Sequence, residues 1–318
     1  MWVYAAKRVL YAMPIALGVS AICFSLVYLA PGDPIQSLIP PDASANDIAA
    51  IRRLYGFDKP VVFQYLDWLA RAATGDLGIS LQSNRPVLDE VTRALVNTLA
   101  IAIAAVLLAF GLATTLGTLA AFNLGRPIDK IATSISTLGV SVPNYWMGIV
   151  LVIIFAVQWR LLPATGMGGQ GSEYFSWLEW EQARYAILPT VTMAMIPLGV
   201  VTRSTRSAVA DTLSQDYIQL LRAKGLGEMQ VVKHALRNAL PQMLAVMGLQ
   251  LGYLVGGSIL IETVFNWPGT GLIMSRAILT RDIPLLQGTI LVLALSFVAI
   301  NLVVDLLQTL IDPRIKRT

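Results

Sequence analysis

Long apolar runs are the feature that most constrains how this chain can fold. The first run, residues 9–30, contains no charged side chain. At 1.5 Å of rise per residue, a helix of about 22 residues crosses the ~30 Å of hydrocarbon in a bilayer. A signal peptide has a shorter apolar core of ~7 to 15 residues, whereas this run continues to the turn Pro31-Gly32-Asp33-Pro34. We therefore expect a retained first transmembrane helix.

Further apolar segments follow along the chain, at about residues 95–122, 131–159, 185–209, 239–261 and 285–310. Of the 318 residues, 56% are hydrophobic and only 13% are charged, which is too apolar for a soluble domain of this length. The sequence therefore predicts an all-α integral membrane protein with six transmembrane helices. The single cysteine, Cys23, lies in the first run and excludes an intrachain disulfide.

Residues 31–94 form the longest polar section, which we expect to fold as a small external cap. Ser44 with Asp47 is typical of a helix start, and a second helix is expected after Pro60. One face of that second helix carries apolar side chains, Val61, Tyr65, Trp68 and Leu69. The predicted organisation is a first helix at 1–30, a helical loop at 31–94 and a five-helix core at 95–318.

Lysine and arginine are distributed unequally between the two sides of these six spans. With the N-terminus inside, the inner segments hold 13 of the 23 cations: Lys7, Arg8, Arg126, Lys130, Arg203, Arg206, Arg222, Lys224, Lys233, Arg237, Arg314, Lys316 and Arg317. Short cytoplasmic loops of membrane proteins carry such an excess. We therefore expect both termini in the cytoplasm. This placement explains the basic pI of about 9.2 without a nucleic-acid partner.

Two apolar segments contain residues with a special backbone role. Pro143 lies near the middle of the third span between Ser141 and Asn144, which predicts a kink toward a polar interior, although an ordinary proline kink is equally compatible. In the fifth span, three glycines recur at a spacing of four residues and form a smooth stripe on one helix face. We expect this stripe, Gly248, Gly252 and Gly256, to pack against another helix rather than to line a pore.

A polar, basic segment at residues 211–241 connects the fourth and fifth spans, and we call it the elbow. Its apolar residues recur at helical spacing in two sets, Leu213, Tyr217, Leu220 and Leu221, then Met229, Val232, Leu236 and Ala239. Gly225-Leu226-Gly227 separates the sets, because glycine provides the φ > 0 geometry that ends one helix and redirects the next. Pro241 suits the first turn of a further helix. The elbow is thus predicted to be two short helices around a hinge.

The elbow has two simpler interpretations. Its cations, Arg222, Lys224, Lys233 and Arg237, could hold a solvated loop at the lipid headgroups. A helix-turn-helix for DNA is disfavoured, because the apolar segments hold both ends of the elbow at the membrane and leave no free recognition helix.

The elbow sequence YIQLLRAKGLGEMQVVKHALRNALP resembles the cytoplasmic loop of binding-protein-dependent ABC importer permeases, above all the dipeptide/oligopeptide family, which has nickel and glutathione permeases as relatives. PGDP, YGFDKPVVFQY and GDLGIS are similar to the first external loop of that family's first permease subunit, and VSVPNYWMG is similar to its third helix. The family's general Glu-Ala-Ala signature is absent, since Gln219, Leu220 and Leu221 occupy those places.

This resemblance implies a type I ABC importer permease fold in a bacterial inner membrane. It implies a coupling helix at about 228–237 that docks in a cleft of an ATPase subunit, and a coupling loop that includes Ala223, Lys224, Gly225, Leu226, Gly227, Glu228, Val232, His234 and Arg237. It also implies a second, non-identical permease subunit, two ATPase subunits that hold ATP and Mg²⁺, and an external solute-binding protein. The third helix would contribute Ser141, Pro143 and Asn144 to the translocation pathway.

Several kinds of chemistry have no signature in the sequence. No Gly-Lys dipeptide occurs, so no phosphate-binding loop for ATP is expected on this chain. The only histidine, His234, has no second metal ligand nearby in the sequence, and no cofactor, metal or catalytic set is predicted. We expect one membrane half of an ATP-driven importer of short peptides, with nickel, glutathione or opine-like solutes as alternative cargo. An ion-gradient transporter is the alternative from a different class.

Overall fold

The computed structural model describes residues 2–29, 39, 44–54, 58–168 and 175–311. Within these ranges the chain forms α-helices and one π-helix, and the only strand-like feature is an antiparallel bridge between Ile79 and Pro86. The helices are α1 Trp2–Leu29, α2 Ala45–Leu54, α3 Val61–Ala73, α4 Val87–Phe122, α5 Pro127–Ser141, α6 Asn144–Leu151, the π-helix Val152–Gln158, α7 Trp180–Leu213, α8 Asp216–Ala223, α9 Glu228–Gly257, α10 Ile259–Val264, α11 Thr270–Thr280 and α12 Ile283–Ile311.

The prediction of an all-α membrane protein is confirmed. Among the described residues, α4, α7, α9 and α12 are each long and apolar enough to cross a bilayer, and the bent pair of α5 with α6 and the π-helix would make a fifth span. The helix α1 contributes a shorter apolar stretch, Met13–Ser25. Helices therefore occupy all six segments in which a span was predicted.

Some predicted features lie outside the described residues. These are the turn at 31–34 and the basic tail with Arg314, Lys316 and Arg317. The two predicted helices of the polar loop are present as α2, which begins directly after Ser44, and α3, which begins directly after Pro60.

The third span is broken rather than kinked. The helix α5 ends at Ser141, α6 begins at Asn144, and the two halves meet at an angle of 100°. Pro143 has no amide hydrogen and disfavours helical geometry at Val142, which is extended with φ −89° and ψ 129°. The amide of Val142 still donates to the carbonyl of Leu138, so the break leaves this group bonded.

The helix α9 begins earlier than expected. The fifth span was predicted from about residue 239, with Pro241 in its first turn, but α9 runs without interruption from Glu228 to Gly257 and holds Pro241 inside. The prediction of a separate short helix at 228–237 was therefore wrong. The second arm of the elbow and the fifth span are one rigid element.

The segment after α9 enters the bundle instead of only covering its end. Phe265 and Trp267 are fully buried in the main apolar cluster, with side chains of α4, α7 and α9 around them. The indole Nε1 of Trp267 donates to the carbonyl of Asn97 in α4 at 3.0 Å, and the Asn97 amide donates to the carbonyl of Pro268 at 3.0 Å. These bonds satisfy polar groups of a non-helical backbone within the protein.

Glu262 organises this non-helical segment. Its carboxylate is fully buried and accepts hydrogen bonds from the hydroxyls of Ser258 at 2.6 Å and Thr98 at 2.8 Å, and from the amides of Gly271 at 2.7 Å and Leu272 at 3.2 Å. Two of these donors are free amides of the first turn of α11, where a carboxylate is favourable. Glu262 thus joins α4, α10 and α11.

The glycine stripe of α9 faces α12 over two of its three positions. A Cβ atom at Gly248 would overlap the side chain of Val304, and one at Gly252 would lie 2.9 Å from the Phe297 ring. Gly256 is exposed, and nothing lies within 4 Å of a Cβ placed there. Within the described residues the predicted packing is therefore present at Gly248 and Gly252, and no other helix of the described chain approaches Gly256.

We predict that Gly252→Leu destabilises the protein and that Gly256→Leu does not. The first variant forces a branched side chain against Phe297, and overpacking of this kind costs ~1 to 3 kcal/mol. The second places the same side chain in open space. Thermal unfolding of the two purified variants in matched detergent should show a lower midpoint for Gly252→Leu alone. Equal midpoints would contradict the packing of α9 on α12.

Candidate coupling site

The elbow consists of α8, a sharp turn and the first turns of α9. Gly225 takes φ +81°, the left-handed geometry that ends α8 and that side chains with a Cβ adopt at a cost. The amides of Lys224 and Leu226 donate to the carbonyls of Leu220 and Leu221, which satisfies the free carbonyl end of α8. The predicted break is present, and Gly225 is the residue that produces it.

Gly227 has a different role from the one predicted. Its φ is −66° and its ψ is 155°, an extended conformation that any residue adopts. It is the residue before α9, and its carbonyl accepts the amides of Gln230 and Val231. Nothing lies within 4 Å of a Cβ placed at Gly227. The expectation of φ > 0 at Gly227 was therefore wrong.

The apolar residues of the elbow divide into packed and exposed ones. Ile218 of α8 and Val231 and Ala235 of α9 are fully buried. Of the residues that recur at helical spacing in the sequence, Ala239 is buried in an apolar cluster on which Leu213 and Leu236 pack. Leu220 and Met229, in contrast, are exposed by 54% and 81%. The elbow therefore presents large apolar side chains that the described part of the chain does not cover.

Side-chain bonds hold the two arms of the elbow together. The guanidinium of Arg222 in α8 donates to both carboxylate oxygens of Glu228 in α9, at 3.1 and 3.2 Å. The amide of Asn238 donates to the hydroxyl of Tyr217 at 2.8 Å. The exposed ion pair adds little stability, roughly 0 to 1 kcal/mol, but its two-pronged geometry orients α8 on α9.

The cations and the histidine of the predicted coupling loop lie on the solvent side of the elbow. Lys224, Lys233, His234 and Arg237 are all exposed, as is Ala223, while Val232 and Leu226 are partly buried. Among the described residues, no group of three histidine, cysteine or acidic side chains could hold a metal ion.

An ion pair that the sequence analysis did not identify fixes the base of the elbow. The guanidinium of Arg206 in α7 donates to both oxygens of Asp129 in the first turn of α5, and its Nη2 lies 2.8 Å from Oδ2. The amide of Gly125 also donates to Asp129, at 2.8 Å. Asp129 is buried, whereas Arg206 is about one third exposed. The sequence contained only a weak signal for this pair, an acidic residue at the start of a helix.

The residues proposed for the translocation pathway lie at the break in the third span. Ser141 and Pro143 are exposed and Asn144 is partly exposed. Tyr145 and Trp146, which follow, are also exposed. This corner of the chain therefore has an open face where the helix direction changes by 100°.

Comparison with known proteins agrees with this architecture. The family described as "Binding-protein-dependent transport system inner membrane component" matches residues 113–317, and the N-terminal region of the same kind of membrane component matches residues 1–102. The chain belongs to this family. It is a multi-pass inner-membrane permease subunit of a binding-protein-dependent ABC importer.

Relatives that match nearly the whole permease include two whose names mention different transported compounds. The dipeptide transport system permease protein DppB of Alkalihalophilus pseudofirmus is 38% identical over 99% of this chain and 100% of its own length. The glutathione transport system permease protein GsiC of Escherichia coli K12 is 38% identical over 98% of both chains. A solved structure of the MetNI methionine ABC transporter in an inward-facing conformation has a TM-score of 0.57 at 18% identity, covering 70% of this chain and 96% of that chain, and it shows the fold alone.

We predict opposite outcomes for matched substitutions in the turn of this permease. Gly225→Val places a β-branched residue at φ +81°, which costs ~1 to 2 kcal/mol and tilts α8 relative to α9. Gly227→Val adds the same side chain at an extended φ with open space around it. In cells that carry the other components of the transport system, Gly225→Val should lower uptake, while the amount of this variant in the membrane should match that of the unmodified permease. Equal uptake for both variants would show that the geometry of this turn has no role in transport.

Proposed function

We propose that this permease forms one half of a heterodimeric translocation pathway for short peptides, with glutathione as a peptide of the same size class. The names of the dipeptide and glutathione permeases, at equal identity to this chain, support a short peptide rather than one particular compound. An external binding protein would deliver the cargo. Ser141, Pro143 and Asn144 would line the route, next to the second permease subunit.

The coupling proposal rests on the exposed apolar surface of the elbow. Leu220 and Met229 project from a largely polar, basic segment, and the described part of the chain does not cover these two side chains. Apolar side chains of this size stabilise a complex when a partner buries them, at roughly 25 cal/mol per Å². We propose that α8 and the first turns of α9 together dock in a cleft of a cytoplasmic ATPase subunit.

This proposal assigns all chemistry with ATP to partner chains. Two ATPase subunits would bind ATP and Mg²⁺, and the permease would have no catalytic or cofactor site of its own. The elbow and both termini would lie in the cytoplasm, as the distribution of lysine and arginine predicts. Because α9 continues from the elbow into the membrane without a break, a displacement of the docked elbow would move the fifth span with it.

The test compares Met229→Asp with Gln230→Asp in the complete transport system, reconstituted in lipid vesicles. Both positions are exposed on the first turn of α9 and both variants gain the same charge. Met229→Asp should reduce uptake of a labelled dipeptide, and the ATPase stimulation by loaded binding protein, by at least tenfold. Gln230→Asp should retain both.

Two further measurements complete this test. The amount of ATPase subunit that co-purifies with the Met229→Asp permease should fall, because the lost contact is at the docking surface. Unlabelled glutathione should compete with the dipeptide for uptake. Normal uptake, stimulation and co-purification for Met229→Asp would contradict the docking proposal, and a lack of any dipeptide uptake by the unmodified system would contradict the cargo.

A further inference from the structure

The helix α3, Val61–Ala73, is bound to the membrane-spanning helices along one side. The hydroxyl of Tyr65 lies 2.8 Å from the hydroxyl oxygen of Ser20 in α1, and the Phe24 ring lies 5.5 Å from the Tyr65 ring and 5.9 Å from the Trp68 ring. Trp68 and Ala72 also pack on the apolar cluster that includes Leu285 and Leu291 of α12. The position of α3 is therefore fixed by contacts to two helices.

These contacts place α3 beside α1 and not beyond its end. Ser20 lies nine residues before the end of α1 at Leu29, which corresponds to ~14 Å along the helix axis. The Tyr65 hydroxyl also donates to the carbonyl of Leu17, one turn further along, at 3.4 Å. Both residues lie within Met13–Ser25, the apolar stretch of α1. The helix α3 thus packs at a level where the neighbouring chain is apolar.

The remaining surface of α3 is divided into an apolar and a polar side. Val62, Phe63 and Leu66 are exposed by 67, 59 and 51%. On the other side lie Asp67 and Arg71, both exposed, and the ammonium group of Lys59 donates to Asp67 at 2.6 Å. At 100° per residue, Val62 and Leu66 point about 180° and 140° away from Arg71, whereas Phe63 lies at the boundary between the two sides, about 40° from Asp67. Contact with water is therefore favourable for the polar side of α3 and unfavourable for its apolar side.

From this geometry we propose that α3 is an interfacial membrane helix. Val62, Phe63 and Leu66 lie among the lipid acyl chains of the leaflet at the C-terminal end of α1, and Asp67 and Arg71 lie toward the headgroups. An amphipathic helix of this kind buries its apolar face ~5 to 10 Å below the headgroup boundary. The external loop predicted from the sequence is then partly a lipid-embedded structure, with a surface for lipid in addition to any surface for a soluble partner.

Lipid is the occupant that the contacts favour over a protein. Leu17, an exposed residue of α1 at the Tyr65 contact, is also large and apolar, so the exposed side of α3 adjoins an apolar part of a helix in the spanning bundle. A soluble binding protein approaches from water and cannot reach residues at that depth. The inference does not depend on the cargo or on the coupling proposed above, since it concerns only how the chain contacts the bilayer.

Spin labels on the two sides of α3 test this inference. Leu66→Cys and Val62→Cys would carry a nitroxide on the apolar side, and Arg71→Cys would carry it on the polar side. The permease with its partner subunits would be reconstituted in vesicles of phosphatidylethanolamine and phosphatidylglycerol. Collisions with dissolved oxygen, which concentrates in lipid, would be compared with those of a water-soluble nickel chelate. The native Cys23 is buried, and the unmodified chain measures its background.

We expect the oxygen-to-nickel accessibility ratio to be several-fold higher at positions 66 and 62 than at position 71. Equally low ratios at the three positions would place both sides of α3 in water, and equally high ratios would place both in lipid; either result would overturn the proposal. Weak collisions with both reagents at positions 66 and 62 would indicate a protein contact there and would overturn it as well. Use of two apolar positions keeps the test valid if one variant does not fold, and thermal unfolding of each labelled protein identifies such a case.

Discussion

The two-pronged ion pair between Asp129 and Arg206 is the interaction on which the cytoplasmic architecture proposed here depends. It joins the first turn of α5 to α7 five residues before the elbow begins, and it is reinforced by the amide of Gly125. Because Arg206 is about one third exposed, water would compensate part of the charge left by the removal of either side chain. In the coupling proposed above, α7 is fixed to the broken third span by this pair, so a force on the elbow would act on both spans together.

The hydrocarbon of the bilayer explains why the irregular parts of this permease are so well bonded. Backbone groups that leave a helix inside a membrane need partners within the protein. At the break before Pro143 the amide of Val142 retains a helical bond, and in the segment between α10 and α11 the carboxylate of Glu262 accepts two amides while Asn97 bonds the neighbouring backbone. These arrangements allow a 100° corner and a buried loop in a bundle of helices.

Sequence reasoning located the helices well, because twenty or more apolar residues leave few alternatives, and it located the turn at Gly225 because its glycines interrupt a helical pattern. It failed where a residue type fits more than one environment. Gly227 is extended and Gly256 faces open space, although both were assigned special roles. Met229 fits a helical apolar face but is exposed. Glu262 was not identified as a residue that joins helices, because one of its partners, Thr98, lies 164 residues away in the chain.

The central claim is that the base of the elbow transmits force from the docked ATPase to the membrane spans, and a double-mutant cycle on Asp129 and Arg206 tests it most directly. Asp129→Asn, Arg206→Gln and the double variant would be reconstituted with their partners, and the ratio of cargo taken up to ATP hydrolysed would be measured. Coupling between sites is typically worth ~1 to 3 kcal/mol, so each single variant should lower this ratio between 5- and 150-fold. The double variant should be no worse than either single one, because the two losses are the same interaction. An unchanged ratio in both single variants, with normal amounts of protein in the membrane, would contradict the account.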